Sequence, residues 1–193
     1  MPVEDLVPGQ LVHAIDQGLT PVVWIHSREL SADEVNANTK LRPVFIARGA
    51  LGHGLPRREL RVSQQHRMLV CGKIAERMFA SSQVLVPAKA LISIDGIEIG
   101  TVSSALTYFH IALPQHSILL ANGAPSESFY PGKQALAALS EAARDEFLTL
   151  FPELRERNWG AYRPARTLLN HRRAQKLGIR HRKNQRELVS RFH

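Results

Sequence analysis

The sequence predicts a mainly β fold with one helix near its C-terminal end and a basic tail that is helical or disordered. Three observations carry this. The first 130 or so residues break into short runs rich in Val, Ile and Leu, each bounded by Gly, Pro, Asn or Asp. A sustained helical period enters only after residue 131. The last 39 residues carry the whole net positive charge, the rest of the chain being slightly acidic.

Taken in order, the strand-like runs are "QLVHAID", "TPVVWIHSREL", "RPVFIAR", "ELRVS", "HRMLVCG", "QVLVPAKALI", "GTVSSALTYFHIAL" and "HSILLANG". "VPGQ" and "IDQG" read as turns, because Pro presets φ and Gly accepts positive φ. Pro21, Pro43 and Pro114 fall where strands start or run at an edge, so a missing N–H does little harm. Ser31 and Glu34 have capping-box spacing and predict a short helix over "SADEVNAN". "GALGHGLPRRELRVS" has glycines at 49, 52 and 54 but no following Lys-Ser/Thr and no helix. It is therefore a flexible loop rather than a phosphate cradle, with Arg57 and Arg58 solvated or flanking a cleft. The clear helix is about 132–150, where Leu136, Leu139, Ala143, Phe147 and Leu150 repeat at i, i+3, i+4 spacing and Pro152 ends the run.

The domain expected is residues 1–152, with strands over 1–130 and the helix after them. Residues 153–193 form a basic extension. Residues 155–193 hold 12 Lys/Arg against 2 Asp/Glu, whereas residues 1–154 hold 13 against 15, which accounts for the net charge of +8. The extension reads first as a solvated end. Its composition also supports weak, salt-sensitive contact with nucleic acid or another anionic partner, with Arg172, Arg173, Lys176 and Arg180 near one helical face. Trp159 and Tyr162 lie too far upstream to interleave with those charges as stacking platforms. The apolar stripe there is thin. No run of about 18 apolar residues exists, so no membrane span is expected. The N-terminus has neither a basic start nor an apolar core, so no secretory leader is expected and the chain reads as cytoplasmic as written. Cys71, the single cysteine, cannot make an internal disulfide or a Cys-rich zinc site and reads as a small core residue. No cofactor is expected.

The chemistry-bearing stretch is "LRVSQQHRMLV", which places Ser63 and His66 three residues apart between apolar runs. Read alone, such a pair is ordinary hydrogen-bonded surface. Two further stretches stand beside it, "TYFHIALPQHSILLANG" and "APSESF". His110 and His116 are six apart, which in a regular strand would put both on one face, though Pro114 predicts a bulge between them. They read either as buried imidazoles with ordinary partners or as part of a site. Zinc held by His66, His110 and His116 has no support in the spacing, and no metal is assigned.

Together with "PVEDLVPGQLV" and "LVPAKALI", the order and spacing of these stretches resemble the Hint superfamily over about residues 2–152. That superfamily contains the self-processing modules of inteins and Hedgehog proteins, and the likeness is closest to its bacterial members. The resemblance implies a Hint-type β fold and an acyl-shift site. Ser63 and His66 match the family's Thr/Ser-x-x-His, whose His helps activate the scissile peptide and protonates the departing nitrogen. Phe109, His110, Ile111 and Leu113 match a second strand, His116 its later His, and Ala121-Asn122-Gly123 its turn, with Asn122 a hydrogen-bonding helper. His110 stands where inteins and Hedgehog modules often carry Asp, which changes the acid/base group.

The resemblance also marks two departures. The family opens on a segment like Cys-Phe-x-x-Gly-Thr ahead of the "PVEDL" element, and here that element stands almost at the start. Cys71 lies within a later strand and does not replace the head nucleophile. Ser126-Glu127-Ser128 occupies the place where splicing modules end in His-Asn-Cys/Ser, so no Asn is there to cyclise. The expectation is a self-processing module by descent, inactive or partial as written, whose nucleophile comes from a fused or separate N-terminal segment. The rival expectation is a non-catalytic binding module that displays the basic tail.

Overall fold

The structure is a computed structural model that describes residues 1–155 and 162–189; Trp159 lies outside them. The strands are β1 (Leu11–Ala14), β2 (Gly18–Pro21), β3 (Trp24–Leu30), β4 (Val44–Ile46), β5 (Leu60–Val62), β6 (Arg67–Cys71), β7 (Gln83–Pro87), β8 (Ile97–Ile99), β9 (Leu106–Ala112), β10 (Ile118–Ala121), β11 (Ala124–Glu127) and β12 (Thr167–Leu168). The helices are α1 (Ala32–Ala37), α2 (Lys73–Phe79), α3 (Lys133–Ala137), α4 (Glu141–Leu150) and α5 (His171–Lys183). The fold is mainly β, as the turn-bounded apolar runs predict. No described helix is long and apolar enough to cross a membrane.

The chain divides into two compact units. The first comprises Met1–Arg28, Phe109–Leu119 and Ser128–Ala165, and the second Glu29–Tyr108, Leu120–Glu127 and Arg166–His193.

In the first unit β1 and β2 form an antiparallel hairpin in register from Leu11↔Pro21 to Ala14↔Gly18, closed where Gly18 takes a φ of 71°. Ala14 also pairs with Leu119 of β10. A small core of Ala14, Val22, Leu113 and Leu119 lies beneath. The larger core is aromatic. Trp24 sits 5.4 Å from Phe129 and 5.0 Å from Phe147, and Phe147 stacks on Phe151 at 4.6 Å. The Trp24 indole N–H donates to Glu146 at 3.1 Å, so its polar edge is satisfied.

The helix expected over 132–150 is two helices. Ser140 takes extended backbone angles and its hydroxyl accepts the Ala143 N–H at 3.2 Å, so it caps a new helix rather than continuing the old one. Leu136, Leu139, Ala143 and Phe147 are buried as the period predicts, whereas Leu150 is exposed.

The second unit holds two antiparallel arrangements. β4 pairs on one side with β5 (Val44↔Val62) and on the other with β8 (Val44↔Ile99). β6 pairs with β7 from Arg67↔Pro87 to Cys71↔Gln83 and with β11 at Ser126↔Met68. β12 runs parallel to β7. Both faces of β6 and β7 are covered, which is why "MLVC" and "VLVP" are continuous apolar runs rather than alternating ones. α2 has no sequence signal. It is seven residues long, lacks a side-chain cap, and starts from Gly72 at a φ of 123°.

Two expectations about the second unit are corrected. Residues 171–183 are not a solvated end. Asn170 caps α5 by accepting the Arg173 N–H at 3.0 Å, and Ala174, Leu177, Gly178 and His181 face the core at i, i+3, i+4, i+7 spacing. The stripe looks thin in sequence because glycine and histidine fill two of its four places. Glycine at 178 permits a close approach, since a Cβ there would lie 3.1 Å from Ser93 Oγ and 3.2 Å from the Ala90 carbonyl. Leu169, Leu177 and Leu188 are fully buried with it, each contributing about 1.5–3 kcal/mol by transfer from water.

The glycine loop before β5 is not loose either. Gly52 N–H donates to Gly49 O, Leu55 N–H to Gly52 O, and Leu51 N–H to Leu55 O, all at 2.9 Å. Leu188 N–H then reaches Leu51 O at 3.0 Å, tying the loop to the far end of the chain.

Candidate functional site

The Ser63–His66 pair belongs to the second unit. It forms the four-residue turn by which the chain leaves β5 and enters β6. His66 N–H donates to Ser63 O at 3.1 Å and also lies 3.3 Å from Ser63 Oγ. The spacing is therefore that of a β-turn reinforced by its own first side chain, not of a strand. Ser63 acts on the backbone of His66.

The turn is held from outside as well. The Gln64 carboxamide donates to Thr39 O at 2.6 Å and to Arg42 O at 3.1 Å. Ala88 N–H donates to His66 O at 2.8 Å, and Lys89 N–H to Gln64 O at 3.2 Å. The His66 side chain, half-buried, thus projects from fixed backbone.

Asn122 is in the same unit, in the two-residue turn between β10 and β11. Asn122 and Gly123 have φ of 50° and 81°, the left-handed pair that an Asn-Gly hairpin turn requires. Its carbonyl accepts the Arg57 N–H at 2.8 Å, and its exposed carboxamide donates to Glu59 O at 3.1 Å. The described bonds of Asn122 are those of a turn residue tied to the 57–59 segment.

His110 and His116 belong to the first unit. His110 lies on β9, half-buried, with its ring parallel to that of His26 at 6.4 Å and edge-on to Phe129 at 5.1 Å. His26 in turn stacks on Trp24 at 5.7 Å. Sequence reasoning missed His26. The available signal was period two along β3, which puts Trp24 and His26 on one face.

His116 is 3% exposed and follows the end of β9 rather than continuing it, so the six-residue parity with His110 does not apply. Its Nδ1 accepts the Ala165 N–H at 3.0 Å. A lone pair is needed at Nδ1 for that bond, so the ring proton resides on Nε2. The ring rests 4.9 Å from Tyr130. Beside it Tyr162 donates to Leu113 O at 3.3 Å, and burial, with help from Glu153 and Tyr130, pushes the Tyr162 hydroxyl far above its ordinary range. In the second unit burial likewise pushes Tyr108 up to about 12.

The five expected site residues thus form two groups: Ser63, His66 and Asn122 in one unit, His110 and His116 in the other. Among the described residues no cluster of three or more His, Cys, Asp or Glu is arranged to hold a metal ion. "APSE" is a buried strand, with the Glu127 carboxylate accepting the Arg67 N–H at 2.9 Å. Cys71 is buried at the end of β6, its N–H donating to Leu188 O at 2.8 Å.

The profile of the Hint domain family matches residues 1–133, and the chain belongs to that family. This relates it to the self-processing modules. No curated protein and no solved structure matches the chain.

Proposed function

We propose that this chain is an acyl-shift module in which His66 protonates the departing amide nitrogen and Ser63 sets the turn that presents His66. In an N-to-S or N-to-O shift the nucleophile bonds to the preceding carbonyl carbon, the C–N bond breaks, and the nitrogen takes up a proton. An imidazole titrating near neutrality suits that transfer. The observation that carries the reading is the clamped turn: His66 projects from backbone fixed by Ser63, Gln64 and Ala88. The nucleophile in this proposal is not Cys71, which is buried in a strand. It is brought by a fused or separate segment that reaches the domain from its N-terminal side.

Two reporter fusions test this, one joined directly to residue 1 and one joined through a Cys-headed segment, each treated with excess thiol. The expected result is thiol-dependent release from the Cys-headed fusion, slowed at least tenfold by His66→Ala, and none from the direct fusion. Release from the direct fusion at a His66-dependent rate would overturn the need for an added nucleophile. A folded but inert Cys-headed fusion would overturn the acyl-shift reading.

A second reading has its own observation. α5 contains no acidic residue, and Arg172, Lys176, Arg180 and Lys183 are exposed on its outer side while Arg173 lies over the Phe79 ring at 4.9 Å. A basic stripe on a packed helix supports contact with nucleic acid, with each phosphate neutralised adding about −0.9 to the slope of log K on log salt. Deleting the tail would remove core residues, so charge reversal is the proper test. Binding of labelled duplex that is lost in R172E/K176E/R180E, with unchanged circular dichroism, supports it. Binding unchanged by the triple variant rejects it.

A further inference from the structure

A cavity of about 340 Å³ opens in the second unit, lined by none of the residues assigned to the acyl shift. Its lining includes Gly52, Asp95, His181, Arg182, Arg186 and Glu187. The volume falls at the small end of the range for ligand sites.

His181 is 2% exposed. Its Nδ1 lies 3.2 Å from Arg186 O and 3.0 Å from Glu187 O. Carbonyl oxygens only accept, so Nδ1 carries the proton and Nε2 presents a lone pair. Burial lowers the His181 pKa, against the raising effect of the two carbonyl bonds, so the ring is held as this neutral acceptor. Nε2 is buried and has no hydrogen-bond partner among the described residues. Leaving such an acceptor unmet is costly. An unmet acceptor thus belongs to a residue that lines the cavity.

The charged groups around the cavity are of both signs. Glu187 is committed: its carboxylate accepts the His53 N–H at 3.0 Å and lies 2.8 Å from His53 Nε2. Asp95, Arg182 and Arg186 make no ion pair among the described residues, and Arg182 spends one N–H on Ser93 O at 3.4 Å. An anion alone would meet Asp95 and the carbonyl-rich end of α5, where the helix dipole is negative. A cation alone would meet two guanidinium groups. A molecule bearing both charges satisfies each set.

We propose that this cavity binds a small zwitterion of the α-amino-acid class, its ammonium donating to His181 Nε2 and paired with Asp95, its carboxylate held by Arg182 and Arg186. The proposal is independent of the acyl-shift reading, since no residue is shared.

The test uses the full chain with ¹⁵N-labelled histidine. L-Serine is titrated as the zwitterion, with ethanolamine and acetate as probes carrying one charge each. The expected result is a saturable shift of the His181 ring nitrogens with L-serine and at least tenfold weaker effects of the other two. Asp95→Asn and Arg186→Gln, both at exposed positions, weaken L-serine binding at least fivefold and leave the circular dichroism spectrum unchanged. No saturable shift with any probe would show a cavity that holds water only and overturn the proposal. Acetate or ethanolamine binding as tightly as L-serine would overturn the zwitterion assignment.

Discussion

Glu187 occupies the space that a side chain at Gly52 would need: a Cβ built on Gly52 would lie 2.4 Å from the Glu187 Cβ and 2.7 Å from its Cγ. Gly52 also holds a φ of 101°, a conformation that disfavours every L side chain. Gly52→Ala therefore displaces Glu187, strains the 49–55 turn and loosens Leu188 from Leu51. The expected cost is about 2 kcal/mol or more, read as a lower urea midpoint with the slope unchanged. Glu187→Ala should recover part of the loss in the double variant.

His116 offers a check on geometry that needs no substitution. Because its Nδ1 accepts from the Ala165 N–H, ¹⁵N spectra of the imidazole should show the Nε2–H tautomer. Replacement by Phe leaves the Ala165 N–H without this acceptor and costs about 1–3 kcal/mol, measured by chemical denaturation. Finding the Nδ1–H tautomer would refute the bond.

The His181 pKa is depressed by burial below its ordinary 6.5, so the unfolded chain binds the proton more readily than the folded one. Stability from this group is complete above pH 6.5 and falls as the pH drops through 6.5 toward the lower folded value. The groups facing it include Arg182, Arg186, Asp95 and the Glu187–His53 pair. Urea midpoints at pH 7.5 and 5.5 should differ more in the native chain than in His181→Gln. An equal drop in both would locate the acid sensitivity elsewhere.

Phe147 is fully buried and touches Trp24, Phe129 and Phe151. Phe147→Ala opens a cavity among these rings and should cost about 3–5 kcal/mol. Near-ultraviolet circular dichroism reads the loss directly, because Trp24 is in the same cluster. A change below about 1 kcal/mol would mean that the aromatic core repacks freely.

Much of this was legible in the chain. Ser31 and Glu34 are reciprocally bonded as a capping box, with Ser31 N–H to Glu34 at 2.8 Å and Glu34 N–H to Ser31 Oγ at 3.2 Å. The strands fall where apolar runs meet turn residues, and Asn122-Gly123 makes the turn its dipeptide specifies. These depend on neighbours within a few residues, where side-chain reach and φ preference act. The five candidate residues were chosen by order and spacing along the chain, and such a choice says nothing of what each side chain touches.

The amino-acid sequence alone determined the β character, the family pattern, the late start of helix and the excess of charge in the tail. Only the tertiary structure decided that Ser140 splits the helix, that His26 stands against His110, and that α5 is part of a core rather than a solvated end. The physical reason differs between them. At Ser140 a local hydroxyl cap competes with the helical period, and nothing in the period says which wins. At His26 and in α5 a weak local preference yields to contacts with residues distant in the chain, His110 in the first case and Ala90 and Ser93 in the second, whose nearness is not written in any window of sequence.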